Sequence, residues 1–287
     1  MSTIKEFRDR YHATLCERAF GLRGSSLVPN IADSSQQASV DIAQGLLDRL
    51  TSSAKELDLA PQTLGRLFTE ITEDFLRDVF GRLGHLRPGD WRFASSMSGL
   101  GIARFAQYAH LAEIQELIDA RPRLKASLGG DYLVVPDIVV FRDPISDAEI
   151  NRPATLIKPG DGIAARTPLR GGNMDGSPPI LLASISMKWT MRSDRSQNTR
   201  TEALNLQRNR KGGTPQIVVV TMEPLPSRIA SIAMGTGDVD CTYHAALDEL
   251  LASARASGRA DQLEMLEMLI DGRRLRDISD LPFDLAS

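Results

Sequence analysis

Three residues near the middle of this chain have side chains that could act together on a phosphate. Asp137 sits in the apolar run Tyr132–Phe141 (YLVVPDIVVF), directly after Pro136. Lys188 ends the run LLASISMK, with Ser186 two places before it. Glu202 follows Lys188 by fourteen positions. Two carboxylates suit Mg²⁺, a hard cation that takes oxygen ligands and keeps several waters. A lysine beside them could orient an attacking water, and the metal could offset charge developing on the phosphate. Hydrolysis of a phosphodiester is the reaction that fits this set.

Each residue also has a plainer reading. A carboxylate in a buried strand is costly unless it is paired or bound to a metal, so Asp137 could be a salt-bridged core acid. Lys188 could snorkel from a strand end. Thr199 and Glu202 have the spacing of a capping box, in which the glutamate would only satisfy a helix start. Arg192, Asp194 and Arg195 lie between Lys188 and Glu202 in what reads as a loop. They alternate guanine-reading donors with an acceptor for cytosine N4, or they form a salt bridge within the loop. Arg200, Arg208, Arg210 and Lys211 would then contact phosphates, which position without specifying.

The elements that must carry these groups can be read from periodicity. Leu182, Ser184, Ser186 and Lys188 alternate with Leu181, Ala183, Ile185 and Met187, the pattern of a strand that turns polar at one end. Tyr132–Phe141 reads as a second strand with Asp137 in its middle. Gln216–Met222 reads as a third and Arg228–Met234 as a fourth. Helices are expected over 4–19, 40–55, 64–83, 102–120, 243–257 and 261–271, and a short strand over 91–96. Residues 21–37 and 151–177 read as loops, Asp33 in the first being an ordinary turn acid. Strands separated by helices predict an α/β fold, a mixed central sheet with helices on both faces. The expected organisation is one domain over 1–287, with a helical part to about 125 and a sheet core from about 126 to 287.

Charge picks out the same centre. Residues 188 to 211 hold seven basic groups and two acids, a local +5 in a chain of net −3, so the rest carries −8. A positive island on an acidic protein suits one defined anionic partner and argues against a general nucleic-acid coat. The 287 residues, 42% hydrophobic and 25% charged, are ordinary for a globular protein. The charged N-terminus lacks a signal core, so the expected location is the cytoplasm. Cys16 and Cys241 make no metal or disulfide framework. No G-x-x-x-x-G-K-[ST] phosphate loop is present, which sets nucleotide-binding enzymes aside.

The segments PDIVV, SISMKWTMRSDRSQNTRTEALNLQRNRKG, QIVVVT, PSRIASIAMGTG, DGRRLRDISDLP and RPGDW resemble the NgoMIV type of restriction endonuclease, a branch of the PD-(D/E)XK nucleases. Most enzymes of that superfamily carry an acid two residues before the lysine. Here Ser186 holds that place, and the resemblance moves the second acid to Glu202. It implies a restriction-endonuclease-like core, Mg²⁺ held by Asp137 and Glu202, support from Ser186 and water positioning by Lys188. It further implies a homotetramer of two back-to-back dimers that cuts two copies of GCCGGC after the first G, beside a cognate DNA methyltransferase. Arg192, Asp194 and Arg195 match readers of the central CCGG; Asp33, Arg228 and Gln62 match readers of the outer G·C pair. The family also places a glutamate after a phenylalanine in the second helix. This chain has Phe68-Thr69-Glu70, which puts the acid about 100° further round the helix, so Glu70 or Glu73 is the expected counterpart. The rival readings are a non-cleaving sequence-specific DNA-binding protein and a structure-specific repair nuclease.

Overall fold

The computed structural model describes residues 3–24, 27–95, 101–121, 123, 134–158, 161–173, 176–191, 193–235 and 237–287. Its helices are α1 (Thr3–Arg18), α2 (Gln37–Leu50), α3 (Pro61–Phe80), α4 (Ala112–Asp119), α5 (Asp147–Ile150), α6 (Ser193–Asn209), α7 (Pro226–Ala233), α8 (Leu247–Ala256), α9 (Ala260–Asp271) and α10 (Leu281–Ala286). Two short strands, β1 (Leu22–Arg23) and β2 (Val28–Pro29), form an antiparallel pair. The others are β3 (Trp91–Ser95), β4 (Ile138–Arg142), β5 (Ile180–Lys188), β6 (Gln216–Thr221), β7 (Cys241–His244) and β8 (Leu275–Asp277). They make one six-stranded sheet in the order β3-β4-β5-β6-β7-β8. The β3–β4 pair is antiparallel, while β6–β7 and β7–β8 are parallel. The fold is therefore α/β with a mixed sheet flanked by helices.

The chain divides into two compact units. The first comprises residues 1–87, 185–203 and 217–287; the second comprises 88–184 and 204–216.

In the first unit, helices contact β7 and β8 and also pack on one another. α2 lies against α8, and Gly45 makes the contact close. A Cβ there would stand 3.0 Å from the Ser253 Cβ. α1 meets α3 through Tyr11, whose ring lies 5.0 Å from that of Phe75 and whose hydroxyl is 3.0 Å from Thr72 Oγ1. One partly buried ionic cluster ties three elements together. Arg8 of α1 donates to Glu249 of α8 at 2.8 and 2.7 Å and to Asp277 of β8 at 2.9 and 2.8 Å.

In the second unit, β3 and β4 pair from Trp91↔Arg142 to Ser95↔Ile138. The Arg142 guanidinium lies 5.3 Å from the Trp91 ring centre. Gln107 acts as a side-chain clamp. It donates to Leu181 O at 2.7 Å and accepts from Leu181 N at 3.1 Å. Tyr108, fully buried, donates its hydroxyl to Leu206 O at 2.9 Å.

Several expectations from the sequence need correction. The strand expected over Tyr132–Phe141 begins only at Ile138, and Tyr132 and Leu133 lie outside the described residues. Pro136 has no N–H to give a ladder, so Asp137 occupies the bend before the strand. The strand expected over Arg228–Met234 is the helix α7. Pro226 starts it, and Ile229, Ala230, Ile232 and Ala233 are its buried face, a helical spacing. The start of the helix expected at Tyr243 is instead the end of β7, and α8 begins at Leu247. Residues 102–120 contain two 3₁₀ turns before the short α4.

The Arg8 cluster generates a stability test. Arg8→Ala leaves Glu249 and Asp277 without their shared cation in a partly buried site. Removing one partner of such a network costs about 3 kcal/mol. Urea unfolding should show that loss; a change below about 1 kcal/mol would assign the cluster no stabilising role.

Candidate active site

The polar end of β5 is the element that could present a nucleophile-activating group. From Leu181 to Ile185 the strand is buried on both faces, which hides Ser184 as well as the apolar residues. Only Ser186 and Lys188 are half-buried near its end. The Ser186 Oγ is buried and has no hydrogen-bond partner. An orphaned hydroxyl of that kind is unusual and suits a water or ligand bound beside it. Lys188 is held through its backbone, since Met222 N donates to Lys188 O at 3.3 Å. The next residue, Trp189, is an anchor. Its ring meets Phe68 edge-on at 5.2 Å and Phe20 at 6.3 Å. This aromatic nest fixes where the strand stops and where the lysine stem begins.

Glu202 lies inside α6, not at its start. The segment Ser193–Arg195, expected as loop, is already helical, because Ser193 and Asp194 are residues that open helices. The capping-box reading fails for the same reason: Thr199 is a buried mid-helix residue. Thr199, Ala203 and Leu206 form the buried side of α6, and Glu202 is exposed. Asp137 is half-buried at the head of β4, in the second unit. Carboxylate and hydroxyl oxygens are ligand types that a hard divalent cation takes, and Ser186 and Glu202 both belong to the first unit. Among the described residues, no group of three or more His, Cys, Asp or Glu is placed to hold a metal.

Glu70 is engaged elsewhere. Its carboxylate accepts from Arg66 at 2.6 Å and from Arg18 at 3.3 Å. Glu73 pairs with Arg77, and Thr69 donates to Gly65 O at 2.9 Å. Arg192 and the side chains of Asp194 and Arg195 lie outside the described residues. Arg208, Arg210 and Lys211 are exposed, whereas Arg200 is half-buried with an unpartnered Nε.

The structure does bring two of the expected readers together. Arg228, in the first turn of α7, forms an ion pair with Asp33. Asp33 also accepts from Ser35 N at 3.0 Å and from Ser35 Oγ at 2.6 Å, the turn geometry expected of it. The Ser35 hydroxyl first, and then the Arg228 guanidinium, hold the Asp33 carboxyl far below the usual carboxylate range. Both residues line a pocket of about 390 Å³, with Arg23, Asp58, Pro61 and Trp189 among its other walls. Gln62 is exposed on the first turn of α3, next to Pro61.

A further acid belongs to this region and was not singled out in the sequence. Glu223 follows β6 and is fully buried. Burial pushes its carboxyl up to about 7, against the pull of the Met191 and Leu225 amides and of Arg228. Its signal was present: an acid between Met222 and Pro224 in an otherwise apolar stretch.

A family model for the NgoMIV restriction enzyme matches residues 11–287. The chain belongs to that family. The NgoMIV type II restriction enzyme of Neisseria gonorrhoeae is 49% identical over 257 residues, covering 89% of this chain and 88% of that protein. Membership makes this chain a type II restriction endonuclease and hence an enzyme, as its motifs implied. A solved complex of the restriction endonuclease PspGI with substrate DNA aligns over 99% of this chain and 92% of its own, at 13% identity and a TM-score of 0.26. Among the described residues, no helix is long and apolar enough to cross a membrane.

The Asp33 pairing generates a pH test. A depressed folded pKa stabilises the fold above the unfolded value, and that contribution is lost as pH falls through the folded one. Asp33→Asn should therefore lower Tm at neutral pH. The gap from the parent protein should begin to close below about pH 4 and vanish only in strong acid. An unchanged Tm at pH 7 would show that the pair does not stabilise the fold.

Proposed function

We propose that this enzyme hydrolyses phosphodiester bonds of double-stranded DNA at the palindrome GCCGGC, cutting after the first G to leave 5′-CCGG overhangs. The observation that carries the reading is the 49% identity to the NgoMIV enzyme across 89% of the chain. The catalytic and reader residues expected from the resemblance agree with it. The active form is a homotetramer, a dimer of dimers, as the resemblance implies, and each two-fold dimer matches one palindrome. It works in the cytoplasm beside a methyltransferase that protects the host's own sites.

Asp137 and Glu202 would hold Mg²⁺, with the Ser186 hydroxyl supporting the same site. Bound there, the metal offsets negative charge on the scissile phosphate. Lys188 directs its ammonium at the attacking water and orients it for in-line approach. Glu70 is left out of this set because Arg18 and Arg66 already occupy its carboxylate.

Arg192, Asp194 and Arg195 read the central CCGG. Asp33, Arg228 and Gln62 read the outer pair. The Asp33–Arg228 ion pair supports the second assignment, because it sets a donor fork and an acceptor side by side. Guanine offers O6 and N7 to the arginine, and cytosine offers its N4 amine to the aspartate.

A plasmid with two GCCGGC sites, incubated with the protein and Mg²⁺, should yield two fragments whose sequenced ends carry 5′-CCGG. Intact DNA across a range of salt and pH would refute the reading. Lys188→Ala should slow cleavage by about 10²-fold or more while leaving DNA binding in Ca²⁺ unchanged by gel shift. Cutting at the parent rate would remove the lysine from the mechanism.

A further inference from the structure

Glu223 has no assigned part in the chemistry, yet it occupies the junction of three functional segments. Its Oε2 accepts from Met191 N at 2.6 Å. Its Oε1 accepts from Leu225 N at 3.2 Å, at the residue before α7. The Arg228 Nη1 stands 3.9 Å from the same oxygen. The other end nitrogen of Arg228 pairs with Asp33. The Glu223 backbone is fixed as well. Its N–H donates to Thr221 Oγ1 at 3.0 Å, and its carbonyl oxygen is 3.2 Å from His244 Nε2. One residue earlier, Met222 N is bonded to Lys188 O.

An acid with no solvent exposure is an expensive choice for a purely structural contact. Two backbone N–H groups at this junction are met by the two different oxygens of one side chain, an arrangement that the single oxygen of an amide does not reproduce. The two carboxyl oxygens serve both, and one of them also faces the guanidinium. Arg228 is thereby held from two sides, by Glu223 behind it and by Asp33 beside it. Met191 is the residue immediately before Arg192 in the chain.

We propose that Glu223 is a positioning residue for sequence readout: it sets the Arg228 fork against Asp33 and pins the backbone that leads into Arg192. It contacts no DNA, because it is fully buried. Discrimination at the outer base pair depends on it. The inference rests on the proposed role of Asp33 and Arg228 as readers of that pair.

The test measures kcat and KM of the full-length protein on duplexes that share CCGG and differ only in the outer pair. Glu223→Gln turns an amide NH₂ toward a backbone N–H or toward Arg228. It should lose about tenfold or more of the preference for GCCGGC, mainly through KM on that site. In an Arg228→Ala background the same change should cause no further loss, because both act through one side chain. Circular dichroism and Tm establish that each variant is folded. Should the glutamine variant fail to fold, Glu223→Asp keeps the charge on a shorter arm and is read in the same way. A folded variant with the parent's preference overturns the proposal, as does a loss that adds in full to that of Arg228→Ala. A parent protein that cuts no CCGG duplex, or cuts all of them equally, instead refutes the underlying assignment of the readers.

Discussion

Strand β5 must do two things that oppose each other. It runs through the interior with both faces buried, and it ends in a serine and a lysine that are only half-buried. An ammonium cannot be carried far into an apolar layer without losing its charge or finding a partner. The strand meets this by changing character over its last three residues, where Ser186 and Lys188 are half-buried and Met187 points into the core. Trp189, packed between Phe20 and Phe68, then stops the strand from sliding. A slip of one residue would exchange the faces, burying Lys188 and exposing Met187.

Three charged groups of the first unit are each met by several partners. Arg8 serves two carboxylates through four hydrogen bonds. Glu223 serves two amides and faces an arginine. Asp33 is nearer the surface and is fixed by Ser35 and Arg228. The first of these joins helices to the sheet. The other two both face Arg228. Their shared feature is geometric: each ion is bound from more than one direction, which limits its rotamers before any ligand arrives.

Much of this was legible beforehand, and the failures have identifiable causes. Lys188 at the end of an alternating run was correctly placed, because a period of two is a strong signal when one face is apolar throughout. Helices α1, α2, α3 and α9 were found within a few residues for the corresponding reason. Arg228–Met234 was misread as a strand because RIASIAM has the composition of one; Pro226 and the spacing of its buried residues decide for helix. Asp137 was put inside a strand because valines and isoleucines surround it, although Pro136 keeps the ladder from starting before Ile138. The short strands β7 and β8 were missed since three or four residues are too few to show a period.

The order of residues by itself determined the family and the restriction-endonuclease activity, and it offered candidate groups for the chemistry. Those depend on residue types at fixed spacings along the chain, and spacing survives without coordinates. The tertiary structure alone decided which charges meet. Asp33 and Arg228 pair across 195 positions, and Met191 reaches Glu223 across 32. It also showed that Glu70 is tied to Arg18 and Arg66, and that Glu202 stands within a helix and not at its cap. No local pattern encodes such contacts, because they arise only when strand order and helix packing bring distant segments within hydrogen-bond range.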